Sequence, residues 1–165
     1  MSARRSRAAV VVLVCCALLA AAASALAAHP KKGAHFSGSF SFTGINGFKA
    51  PVAFGVSKSG TSLTGFKYST LGCFGSGGFQ KGVDYYTKPG AIIKVGAVKV
   101  SGSGRFSVKG VVFKYTAFGF TTTTTTTLSG SFSKPKLASG TLSFTQTLGS
   151  GATCNSLVLS FTAKA

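Results

Sequence analysis

Acidic side chains are all but missing: Asp84 is the only one in 165 residues, against eighteen Lys and Arg. Glycosidases and most hydrolytic acid–base schemes need two carboxylates, so that chemistry is excluded. Trp is absent too, which counts against an immunoglobulin-type domain with a Trp packed on its disulfide. Histidine is limited to His29 and His35, both near the start of the expected domain, where chains fray, and neither follows a zinc-ligand spacing. No Gly-x-Ser-x-Gly elbow occurs, and Gly75-Ser76-Gly77-Gly78 lacks the Gly-Lys-Ser/Thr ending of a phosphate loop. Asp84 sits between Lys81 and Lys88 and reads as a local charge partner or an Asx turn. No catalytic residue, metal ligand or cofactor is expected.

The N-terminus reads as an export signal. Arg4, Arg5 and Arg7 precede an apolar run from Ala8 to Ala23, and Ala25-Leu26-Ala27 offers the small-x-small pattern of a cleavage site. Residues 1–27 are therefore assigned as signal peptide and 28–165 as one secreted or surface-associated domain. An uncleaved membrane anchor is the alternative. After cleavage no membrane span remains, and fifteen basic residues face one acid, a net of +14. Of the four cysteines, Cys73 and Cys154 stay with the domain. In an oxidising compartment they are expected to form one disulfide, ahead of a metal pair or a reactive thiol.

What the domain does contain is β grammar. Phe36, Phe40 and Phe42 alternate with Ser37, Ser39 and Ser41, and Val52, Phe54 and Val56 alternate likewise. The parity changes across Gly65 and again across Gly96, which predicts bulges. Ser101-Gly102-Ser103-Gly104 predicts a hairpin turn. Eight or nine strands with short connections predict a single antiparallel β-barrel or β-sandwich.

Thr121 to Thr127 is an unbroken threonine tract. Phe118, Phe120, Thr122, Thr124, Thr126, Leu128, Gly130 and Phe132 share one parity, so the tract keeps a strand pattern. Fifteen residues would span about 50 Å as a single strand, so a bend or turn is expected within it. O-glycosylation is the next reading. Ice binding would need repeated Thr rows, of which the sequence shows one.

Lys67, Lys94, Lys99, Lys109 and Lys114 fall on the outward parity of their strands, with further lysines in turns and in the N-terminal arm. The expected result is a broadly positive exterior rather than one patch. Lys outnumbers Arg, which favours diffuse attraction over bidentate recognition. The leading expectation is thus a monomeric, non-enzymatic interaction module for the cell envelope or an anionic extracellular polymer. Nucleic acid fits less well, because most Phe residues fall on core parity and leave few to stack on bases. An alternative is a carrier of a small apolar ligand, in a cavity lined by Phe54, Phe66, Phe106 and Phe132.

Several segments together resemble a loose group of small secreted β proteins of high-GC Gram-positive bacteria, to which no activity is attached. They are Phe36-Ser37-Gly38, Val52-Ala53-Phe54-Gly55-Val56, Leu63-Thr64-Gly65-Phe66-Lys67-Tyr68 before Cys73, Gly104-Arg105-Phe106-Ser107-Val108, Gly130-Ser131-Phe132 through Ala138-Ser139-Gly140-Thr141-Leu142, and Cys154 before the last strand. Phe161-Thr162-Ala163 stands where that group would have Trp-Thr-Ala. The resemblance implies an exported β domain and transfers no functional residue.

Overall fold

A computed structural model describes residues 28–41, 49–70, 77–78, 92–117, 119–149, 151, 153–156 and 158–165. Ten strands form one sheet: β1 (His35–Ser41), β2 (Lys49–Val56), β3 (Ser62–Ser69), β4 (Gly77–Gly78), β5 (Ile92–Lys99), β6 (Arg105–Ala117), β7 (Phe120–Lys134), β8 (Leu137–Leu148), β9 (Thr153–Asn155) and β10 (Leu159–Lys164). No helix occurs among the described residues.

The choice between barrel and sandwich resolves to a nearly closed barrel. Neighbours run β5-β3-β2-β1-β10-β8-β7-β6, all antiparallel, so the first and last long strands pair. β5 and β6 lie side by side, and the bridge that joins them among the described residues is Val100 to Phe106, just past the end of β5. At that seam the ring is narrowly joined rather than laddered. β9 continues the line of β10 along β8, interrupted at Ser156, whose N–H and Oγ bond the Phe144 backbone. β4 adds alongside β9 in parallel.

Glycine bulges fit the sheet to its curvature. Gly65 has φ +58° and lies where the β3–β5 register shifts, as the parity change predicts. A left-handed φ strains any residue with a Cβ, so glycine suits this position.

The threonine tract departs from expectation. No turn breaks it: β7 is one strand of fifteen residues, paired with β8 without slip from Thr122 to Phe132. Both neighbours are long as well, β6 with thirteen residues and β8 with twelve, so every tract residue from 122 to 126 has backbone partners on both sides. The shift that the curvature requires is absorbed on β6, between Val108 and Val111.

A second correction concerns the start of the domain. Residues 28–34 do not fray but lie across the turn end of the barrel. Ala28 N–H donates to the Phe132 carbonyl, Lys31 N–H to that of Pro135 and Gly33 N–H to that of Ser57.

Inside, the barrel is layered. Phe36, Phe54, Phe106 and Phe132 fill the turn end; Phe66, Leu128, Leu142 and Phe161 come next. Toward the opposite end the buried side chains become polar: Thr70, Thr122, Thr124, Thr126 and Gln146.

Candidate polyanion-binding surface

All thirteen Lys and Arg among the described residues are exposed, and no Asp or Glu is found among those residues. Asp84 lies outside them. Strand alternation puts Phe66, Tyr68, Ile93, Val95 and Val98 inward, which leaves Lys67, Lys94 and Lys99 on the outside.

The barrel order gathers part of what the sequence seemed to scatter. Lys67 is on β3, Lys94 and Lys99 on β5, and Lys109 and Lys114 on β6, three consecutive strands of the wall. The five candidate lysines therefore lie on neighbouring strands, while Lys31, Lys32, Lys49, Lys58, Lys134, Lys136 and Lys164 are exposed elsewhere on the barrel. Lys67 and Lys94 are direct cross-strand partners, and like charges placed opposite each other repel.

Among the described residues, β1, β10, β8 and β7 carry Lys or Arg only at strand ends, and rows of hydroxyls cross them toward β6. One row runs across the strands from Ser39 on β1 through Thr162 and Ser139 to Ser131 on β7, whose next partner is Arg105 on β6. A second runs Ser160, Thr141, Ser129, Ser107, with Ser129 Oγ 2.9 Å from Thr141 Oγ1. Sequence reading found the β7 hydroxyls but not their neighbours. Pairing distant segments is a property of the sheet, and no local pattern reports it.

Shallow hollows interrupt the surface. One of about 590 Å³ is bounded by Lys99, Ser101, Arg105, Ser107 and Ser129 together with Val100, Phe106 and Gly130. Another of about 380 Å³ adjoins it through Val100 and Ser101 and includes His29, Lys32, Ser59 and Thr61. A third, of about 580 Å³, has His35, Thr64 and Lys67 over Phe36 and Phe54. Arg105 and Lys32 were not singled out from sequence. Arg105 is the one arginine of residues 28–165, the only signal that could have marked it.

The four phenylalanines of the carrier alternative are buried and in mutual contact. Phe54 stacks on Phe66 with centroids 5.4 Å apart, and Phe106 meets Phe132 edge-on at 5.6 Å. Phe54 also lies 6.3 Å from Phe132.

The polar interior layer is held by a short network. Tyr68 Oη and Thr126 Oγ1 are 2.7 Å apart, and Gln146 Nε2 donates to Thr70 Oγ1 and Tyr115 Oη at 3.1 and 3.3 Å. Burial pushes the Tyr68 phenol far above its usual range. Thr124 Oγ1 and Gln146 Oε1 have no hydrogen-bond partner, and their residues are direct partners on β7 and β8.

Cys154 is fully buried and disulfide-bonded. Cys73 lies outside the described residues. Gly77, four residues beyond it, pairs with Cys154 through the β4–β9 contact.

Comparisons with protein-family models, curated proteins and solved structures returned no match.

Proposed function

We propose that this chain is an exported, non-enzymatic β-barrel that binds anionic extracellular or cell-wall polymers through the lysines of β3, β5 and β6. The observation that carries the reading is the display of Lys67, Lys94, Lys99, Lys109 and Lys114 on neighbouring strands, with Lys67 set against Lys94. An anionic polymer laid across these strands would relieve that repulsion while gaining attraction from each lysine. Lysine heads on flexible stems suit a partner whose charges recur along a chain. Among the described residues the large exposed hydrophobics are Ile92, Val112 and Val158; none is aromatic, which disfavours base stacking and hence nucleic acid as partner. A Cys73–Cys154 disulfide belongs to the same reading, and Gly77 beside Cys154 supports it.

Titration of the protein with polygalacturonate over a range of ionic strength tests the function. Affinity should fall steadily as salt is raised. Failure to bind at low salt, or affinity indifferent to salt, would overturn it.

A further inference from the structure

We propose that the hollow at Arg105 seats the acidic group of a glycan and that the adjoining hydroxyl rows hold the sugar hydroxyls, a reading that rests on the polyanion-binding function and narrows it to acidic glycans. Arg105 and Lys99 stand at the hollow with Ser101, Ser107 and Ser129, and its lining, mostly apolar, also includes Val100, Phe106 and Gly130. A guanidinium fork matches the paired oxygens of a carboxylate or sulfate, whereas the other basic residues of the domain offer only point charges. Ser and Thr hydroxyls both donate and accept, as sugar hydroxyls do.

The rows lead directly away from this seat. Arg105 pairs with Ser131, and the row continues through Ser139 and Thr162 to Ser39. Four interstrand steps of about 4.8 Å make a track of roughly 19 Å. The second row, Ser107 to Ser160, runs parallel to it. Along the interior of both rows no charge interrupts the hydroxyls, so a neutral stretch of chain can lie there without desolvating an ion.

The backbone of the turn that carries Ser101 and Arg105 is held in shape before any ligand arrives. Ser101 N–H donates to the Arg105 carbonyl at 2.8 Å, and Arg105 N–H returns to Ser101 Oγ at 3.0 Å. Val100 N–H is fixed to the Thr61 carbonyl at 2.8 Å. A turn fixed in this way loses little entropy on binding.

The test compares Arg105→Gln with Lys109→Gln in the full-length protein. Each removes one exposed charge from β6, so net charge is matched. Calorimetric titrations use polygalacturonate, dextran sulfate and polyphosphate at one ionic strength. Arg105→Gln should weaken at least one of the two glycans by about tenfold, the glycan affected showing whether carboxylate or sulfate is preferred. Lys109→Gln should weaken it by only about twofold. Polyphosphate, which has charge but no hydroxyls, should respond alike to both. Arg105→Lys keeps the charge and guards against a folding defect; it should recover only part of the glycan affinity. Equal losses from Arg105→Gln and Lys109→Gln on both glycans, or full recovery by Arg105→Lys, overturn the seat and leave polyanion binding standing. A polyphosphate loss as specific to Arg105 as the glycan loss overturns the glycan assignment. Wild-type protein that binds none of the three polymers removes the function beneath both.

Discussion

Lys67 and Lys94 are paired across adjacent antiparallel strands, with both side chains exposed on the outer face. Cross-strand neighbours of like charge destabilise a sheet by roughly 0.2–1 kcal/mol. Lys94→Glu should therefore raise stability by about that amount at low salt, and the gain should shrink as salt is added. The same substitution should weaken binding to polygalacturonate. Urea unfolding at two ionic strengths checks the first effect. Loss of stability at low salt would mean that Lys94 has a structural role that the outer face does not reveal.

The polar layer makes a sharper prediction. Gln146 Nε2 has two hydrogens and both are used, on Thr70 and Tyr115, which leaves Oε1 and the facing Thr124 Oγ1 without partners. Thr124→Val exchanges an unsatisfied hydroxyl for a methyl of similar shape and should be neutral or stabilising, by up to about 1 kcal/mol. A buried water bridging the two groups predicts the opposite sign. Thermal melts of the variant decide between them.

Tyr68 gives a pH dependence of definite sign. Its phenol is held protonated in the fold, chiefly by burial, so the unfolded chain ionises first, near pH 10. Stability from this group is intact below pH 10 and lost as pH rises beyond it, by about 1.4 kcal/mol per pH unit. Lysine titration occurs in the same range, so the informative quantity is the wild-type minus Tyr68→Phe difference. That difference should be flat to about pH 10 and then decline. A difference that stays flat to pH 12 would show that Tyr68 ionises equally in both states.

The cysteine pairing is checked by intact and peptide mass spectrometry without reduction. A crosslinked peptide containing Cys73 and Cys154 is expected. Cys73→Ser, Cys154→Ser and the double variant should then lose similar stability, about 2–5 kcal/mol. A crosslink from Cys154 to Cys15 or Cys16 would contradict both the pairing and cleavage of the leader.

Some of the fold was legible because strand alternation is a local signal. The inward set Phe36, Val52, Phe54, Leu63 and Phe66 follows from parity and burial alone, and so does the bulge at Gly65. The threonine tract shows the boundary of that method. Its inward face, Thr122, Thr124 and Thr126, agreed with parity. Its continuity did not follow from length statistics, because long partners on both sides decide whether a long strand survives. Arg105 shows the same limit at the candidate site: nothing near it in sequence announces Lys99, Ser129 or the hydroxyl row that begins at Ser131.

By itself, the sequence determined that this is a β protein with a basic exterior and almost no carboxylate to use, since composition and a two-residue period are properties of the chain alone. Tertiary structure decided that the sheet curls into a nearly closed barrel, and that five of its lysines fall on neighbouring strands beside hydroxyl rows that cross β10, β8, β7 and β6. Which strands stand together depends on hydrogen bonds between segments more than 120 residues apart, as between Phe40 and Phe161. Only that pairing sets Lys67 opposite Lys94 and places Arg105 at the end of a hydroxyl row.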